Sequence, residues 1–229
     1  MDLRLPTWAC LGSSLLFASC AGTGPPGPSQ VRRGWDGAFA GRSVGLYLAM
    51  GRTTYTVAEF ETLSQADEIL HELDPGIRWN SVDSGNRSVK NLDGWDLDSL
   101  GDRLLSDSAV GGSMRSAGTP VLEFADPSLA PSTKAALERV GKAFGVDLLI
   151  VLRPGGNRNA KDSAADFRSS AWMGVFDPAA GALLYSLDIP TTGVRSSARS
   201  AETDWARRIW KSFEAGILQV RSLPRAAGP

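Results

Sequence analysis

The run Val146-Asp147-Leu148-Leu149-Ile150-Val151-Leu152 constrains the fold of this chain more than any other segment. A strand with one solvated face alternates apolar and polar side chains. This run is apolar at every position from Leu148 to Leu152, so it predicts a strand covered on both faces. Helices must then lie on a sheet, and the flanking sequence supplies them. Just upstream, Ala136, Leu137, Val140 and Phe144 recur at helical spacing over 132–144, and Gly145 stands where a left-handed residue closes a helix.

The remaining patterns agree with such a layered body. Val44, Leu46, Leu48 and Met50 alternate with Ser43, Gly45, Tyr47 and Ala49, which predicts a first strand. Thr56-Val57-Ala58-Glu59 has capping-box spacing, and Phe60, Leu63, Ala66, Leu70 and Leu73 follow on one helical face as far as Pro75-Gly76. Strands are expected over 77–82 and 121–124, a short helix over 97–105 behind Asp96, and loop over 111–118. Residues 172–176 and 182–187 flank Asp177-Pro178-Ala179-Ala180-Gly181, where Pro178 presets a turn and Gly181 tolerates positive φ, so the two should pair as a hairpin. A last helix over 201–220 carries Trp205, Ile209, Phe213 and Ile217 at intervals of four. The expected fold is α/β: one sandwich of a mixed sheet packed with helices, ending in a long amphipathic C-terminal helix.

The amino terminus speaks of location. After Arg4 come Leu5, Trp8, Ala9, Leu11, Leu15, Leu16 and Phe17, then the small residues Ala18 and Ser19, then Cys20. Crossing the hydrocarbon takes about 20 consecutive apolar residues. This stretch is shorter and is interrupted by Pro6, Thr7, Gly12, Ser13 and Ser14, so it reads as a signal peptide over 1–19. Residues 21–30, Ala-Gly-Thr-Gly-Pro-Pro-Gly-Pro-Ser-Gln, offer almost no side chain to a core and predict a solvated tether. The expected organisation is a linker over 20–40, one folded domain over 41–222 and a disordered tail over 223–229.

Phe17-Ala18-Ser19-Cys20 resembles the bacterial lipoprotein signal, with Phe17 where leucine is usual. The resemblance implies cleavage before Cys20, a lipid on its thiol, and acylation of the new amine. Two or more acyl chains hold a protein on a bilayer stably, where one does not. Ala21 resembles the pattern of lipoproteins sent to the outer membrane, which implies a lipid-anchored, periplasm-facing protein. The other cysteine, Cys10, lies in the segment to be removed, so the mature chain would hold neither a disulfide nor a cysteine metal site.

A second resemblance covers 132–187. The helix, Ala143-Phe144-Gly145-Val146-Asp147-Leu148-Leu149-Ile150-Val151, the hairpin from Phe176 to Ser186 and a closing helix resemble the small α/β domain of three groups. These are the curli-secretion-channel lipoproteins, the lipoprotein activators of penicillin-binding proteins, and the amino-terminal domain of the Tol translocation protein. Their shared marks are an apolar Gly-x-Asp strand and an Asp-x-x-x-Gly hairpin. The motifs are structural, assign no catalytic residue, and speak for function by analogy alone.

Charge and motifs exclude more than they assign. A formal net charge of -1 argues against nucleic acid, whose binding is driven by phosphate neutralisation. The balance is uneven: twelve Asp or Glu against four Lys or Arg over 56–107, and three against seven over 191–229. Mutual facing or plain solvation of these regions is the simpler reading, and a partner-binding basic end the sharper one. Gly41-Arg42-Ser43-Val44-Gly45 spells a nucleophile elbow but leads into a strand, where the elbow needs a strand-to-helix turn. Gly22-Thr23-Gly24-Pro25-Pro26-Gly27 spells a dinucleotide fingerprint with no strand before it. Asp67, His71 and Asp74 share a helical flank, read as solvated before it is read as a metal site. Asp93, Asp96, Asp98 and Asp102 lack EF-hand spacing. Trp205, Trp210 and Phe213 read first as a wide core face; an exposed Trp210 beside Arg207, Arg208 and Lys211 would instead make a partner surface, since aromatics and arginine dominate binding hot spots.

Together these features predict a non-catalytic, outer-membrane-anchored binding module in envelope assembly or regulation. Cys20 is the lipid attachment, the acyl chains make the membrane contact, and an envelope protein is the partner. No cofactor, metal or nucleic acid is expected. The alternatives are an envelope serine hydrolase using Ser43 and His71, and a subunit of an export pore. The pore needs spanning strands of about 9 to 11 alternating residues, longer than any the sequence suggests.

Overall fold

The computed structural model describes residues 29–49, 56–82, 97–109, 121–124, 129–155, 167–194 and 198–224. In chain order the elements are β1 (Ser29–Arg32), β2 (Ser43–Leu48), α1 (Thr56–Leu73), β3 (Arg78–Ser81), α2 (Leu97–Ala109), β4 (Val121–Phe124), α3 (Pro131–Phe144), β5 (Leu148–Gly155), β6 (Phe167–Asp177), β7 (Ala182–Val194) and α4 (Ala198–Ser222). The strands form one mixed sheet in the order β3-β2-β5-β6-β7-β1-β4. β2 runs parallel to β3 and β5, β1 parallel to β4, and the remaining pairs are antiparallel.

The apolar run fills the role its lack of alternation demands. Leu148, Ile150 and Leu152 enter a core with Ala66, Ile69 and Leu70 of α1 and Ile209, Trp210, Phe213 and Ile217 of α4. Leu149 and Val151 point the other way, to Leu100 and Leu104 of α2 and Ala136, Leu137 and Val140 of α3. The molecule is a three-layer sandwich with β5 near its centre, and all five of these residues have no exposed surface. α3 stops where the sequence predicts, with Gly145 at φ 63° and its N–H returned to the Gly141 carbonyl.

Glycine also lets aromatic rings pass over the sheet. Trp172 and Phe176 lie on one face of β6 with ring centroids 6.1 Å apart. Between them a side chain on Gly174 would strike both rings, at 2.8 Å from Phe176 and closer still to Trp172.

Several boundaries differ from the sequence reading, and α2 and α4 run longer than expected, to Ala109 and over Ala198–Ser222. The sheet takes in residues ahead of 41, because residues 29–32 form β1 between β7 and β4, with Ser29 and Val31 buried. Phe39, inside the expected linker, is fully buried and stacks 6.4 Å from Phe213. The hairpin is also longer than expected on both arms. β7 continues through Pro190 to Val194 because the register shifts between Ser169 and Ala171, and a proline that cannot donate a ladder hydrogen bond is housed at such an irregularity. Those lengths approach a spanning strand, yet from Ala171 to Phe176 every residue of β6 is buried, on both faces. This half of the hairpin is core, without a lipid-facing alternation.

Candidate functional site

Ser43 is the first residue of β2, not the apex of a strand-to-helix turn. Its Oγ lies 2.8 Å from Asp147 Oδ2 and 2.9 Å from the Gly145 carbonyl oxygen, while the Asp147 N–H donates to it at 3.1 Å. The Ser43 N–H in turn donates to Asp147 Oδ2 at 2.8 Å, and the Asp147 N–H to the Ser43 carbonyl at 2.8 Å. This reciprocal clasp joins the starts of β2 and β5, two strands that pair in parallel from Val44↔Leu148 onward. The backbone and hydroxyl hydrogen bonds from Ser43 hold the Asp147 carboxyl below the usual carboxylate range, with Arg42 and Arg78 adding to the effect. A carboxylate so stabilised is a weak base, and a hydroxyl locked this way is a poor nucleophile. Histidine is not among the partners of Ser43.

The clasp ties stability to pH. Asp147 has a lowered folded pKa, so its contribution is complete above the unfolded pKa of about 4 and is lost as pH falls through the folded value. The urea midpoint should therefore fall below about pH 4 more steeply in the native chain than in Asp147→Asn. Parallel curves would remove the clasp from the stability of the fold. Ser43→Ala should cost about 0.5–1.5 kcal/mol, toward the lower end because the node is open to water.

His71 sits in the last turn of α1, half exposed, with Nδ1 2.8 Å from the Asp67 carbonyl oxygen and 3.3 Å from Asp67 Oδ1. The same Asp67 Oδ1 accepts from Trp79 Nε1 at 2.9 Å, which pins the edge strand β3 to α1. Asp67 is thus a structural acceptor, and Asp74 accepts from the Gly76 N–H at 3.0 Å in the turn that follows. Asp102 pairs with Arg153 across α2 and β5. Among the described residues, no three His, Cys, Asp or Glu side chains come together to hold a metal ion. Asp93, Asp96, residues 111–118 and Cys20 lie outside the described residues.

The four residues expected to share a partner surface are separated by the packing of α4. This helix fills the groove between the sheet and α1, so its buried arc is wide: Trp205, Ala206, Ile209, Trp210, Phe213, Ile217 and Val220. Trp210 has no exposed surface and stands edge-on to Phe213 at 5.6 Å, which removes it from any docking face. Arg208 is half-buried, donates to the Asp204 carbonyl at 3.2 Å, and burial lowers its pKa. Lys211 bridges Glu72 of α1 at 2.9 Å and Glu214 at 3.1 Å, and these carboxylates raise its pKa. Arg207 is exposed, with Asp204 3.8 Å away. Among the described residues, the Lys211–Glu72 bridge brings the acidic and basic regions into contact.

Two residues to which the sequence analysis gave no role of their own tie elements of the molecule together. Asp147 is one. Arg221 is the other: its guanidinium donates to the Leu73 carbonyl at the end of α1 at 2.9 Å and to the Gly37 carbonyl at 3.1 Å. It satisfies an acceptor that a helix end leaves open and ties α1, α4 and the 33–42 connection together. Its only sequence signal is a cation in the last turn of a helix.

The chain matches no protein-family profile and no curated protein. Solved structures do align with it. The PelC dodecamer from Paraburkholderia phytofirmans is 13% identical, with a TM-score of 0.40 over 81% of this chain and 96% of that one. The LpoB C-terminal domain from Escherichia coli is 14% identical, with a TM-score of 0.31 over 71% and 89%. LpoB in solution, also from Escherichia coli, is 15% identical, with a TM-score of 0.35 over 85% and 84%.

Proposed function

We propose that this chain is a bacterial lipoprotein, anchored through acyl chains on Cys20 to the periplasmic face of the outer membrane, whose α/β domain binds an envelope protein without catalysing a reaction. One observation carries the reading. The lipobox-like Phe17-Ala18-Ser19-Cys20 is followed by a glycine- and proline-rich segment that ends at Ser29, where the sheet begins. A cleaved, acylated Cys20 would place the folded domain directly behind a short leash. The engagement of Ser43 with Asp147 and Gly145 weighs against the serine hydrolase alternative.

Metabolic labelling with a palmitate analogue, followed by envelope fractionation, tests the anchor. Label and outer-membrane residence are expected in the native chain and should both vanish in Cys20→Ala. A native chain that is unlabelled and soluble would end the reading.

A further inference from the structure

Among the described residues β3 has one neighbour, β2, and its other edge carries no strand. The Val82 N–H donates to the Leu46 carbonyl at 2.8 Å. Alternation along the parallel ladder then turns the N–H and C=O groups of Asn80 inward as well, and those of Trp79 and Ser81 outward. Arg78, Asn80 and Ser81 are exposed and Trp79 is half-buried, so the outward groups meet water. Such an edge can take an extended chain as a further strand, with main-chain hydrogen bonds for affinity and alternate side chains for specificity. The two faces of this edge differ in charge. The register puts Trp79 on the face of Val44, with the core under α1, and Arg78 on the face of Ser43. Trp79 Nε1 donates to Asp67 Oδ1 at 2.9 Å, which fixes that carboxylate beside the edge, and the Asp67 side chain keeps 59% of its surface open. Behind it the chain from Thr56 to Ile77 carries Glu59, Glu61, Asp67, Glu68, Glu72 and Asp74 and no Lys or Arg. Glu72 is taken up by Lys211 on the side of α4, and His71 Nδ1 stands 3.3 Å from Asp67 Oδ1. On the other face, Arg78 and Arg42 both act on Asp147.

Resting on the reading of this domain as a protein-binding module, and not on its anchor, we propose that the open edge of β3 receives an extended segment of the partner protein as an eighth strand, with Lys or Arg at alternate positions facing Asp67 and α1. The side chains between them face Arg78 and are acidic or neutral. Charge selects this occupant over a second copy of the chain. Two copies joined antiparallel at β3 are related by a two-fold axis normal to the sheet, which sets α1 beside its own image and Asp67 against like charge. A basic strand meets the reverse, opposite charge both on approach and in register.

Hydrogen exchange at single amides of the purified native chain reads this edge directly. In the free protein the Asn80 and Val82 amides should be protected, and those of Trp79 and Ser81 should exchange freely. A short end-blocked peptide alternating lysine and valine should protect Trp79 and Ser81, and its glutamate–valine counterpart should not. Ser81→Pro removes an outward N–H at a position where an edge strand tolerates proline, and should abolish the protection at Trp79. Asp67→Asn keeps an acceptor for the Trp79 indole while removing the charge, and should weaken binding of the lysine peptide; it carries the test if Ser81→Pro does not fold. Protection of Trp79 and Ser81 in the free chain overturns the proposal, because the edge is then already covered: by a second copy where protection rises with protein concentration, by the chain itself where it does not. Equal protection by the two peptides, or none by either, overturns it too. A chain that lacks the palmitate label and passes this test loses the anchor and keeps the edge, while label without protection loses the edge alone.

Discussion

Trp210→Ala should unfold this domain more readily than almost any other truncation, at a cost of about 3–5 kcal/mol. Among the described residues the side chain is the largest with no exposed surface; it packs in one core with residues of α1 and the sheet and meets Phe213 edge-on. Such a loss is a large share of the roughly 5–15 kcal/mol that holds an ordinary domain together. Arg207→Ala, three positions away on the exposed side of the same helix, should stay within about 0.5 kcal/mol of the native chain. Urea titration of both variants separates a core tryptophan from a docking tryptophan. A Trp210→Ala chain with native stability would return that residue to the surface and to a partner face that includes it.

Gly216→Ala should be destabilising by about 1–3 kcal/mol, although an unpacked helix interior would gain roughly 0.5–1 kcal/mol from the same change. The reason is Tyr185. A side chain on Gly216 would land on the Tyr185 hydroxyl, and that ring is fixed within β7 with no exposed surface, 5.9 Å from Phe213 and 6.1 Å from Trp35. Burial also pushes the Tyr185 hydroxyl far above the usual phenol range, against a smaller opposing effect of Ser29. The two positions must therefore be coupled: Tyr185→Phe should recover part of the Gly216→Ala loss, a favourable coupling of about 0.5–3 kcal/mol in a double-mutant cycle. Additive losses would mean that α4 rides higher on the sheet than the packing shows.

Where sequence and structure agree, the signal was local and repeated. β4 occupies 121–124 as expected, Leu63, Ala66, Leu70 and Leu73 of α1 and Ala136, Leu137, Val140 and Phe144 of α3 pack toward the core, and the Pro178–Gly181 turn has Gly181 at φ 58°. Where they part, the deciding contact was remote or the local signal was weak. β1 holds one large apolar residue, Val31, behind a run of glycine and proline, and nothing local announces that β7 and β4 will pair with it. The reach of β7 was hidden by Pro190, which in a single sequence argues against a strand. Trp210 lies off the four-residue stripe, and its burial depends on α1 packing from a second direction. Asp147 belongs to a recognisable Gly-x-Asp pattern, but its partner Ser43 stands 104 positions away, beyond the reach of any periodicity. The same distance explains why Gly41-Arg42-Ser43-Val44-Gly45 looked like chemistry and is architecture.

The insertion of β1 between β7 and β4 has a mechanical meaning. A pull on the N-terminal segment enters the domain along the axis of β1, and the inter-strand hydrogen bonds lie across that axis. The load is therefore a shear shared by both ladders, the rungs on β7 and those on β4 at once. A first strand at the sheet edge, held on one side and pulled outward, would instead be peeled one rung at a time. β1 thus has the strand geometry best suited to bearing tension.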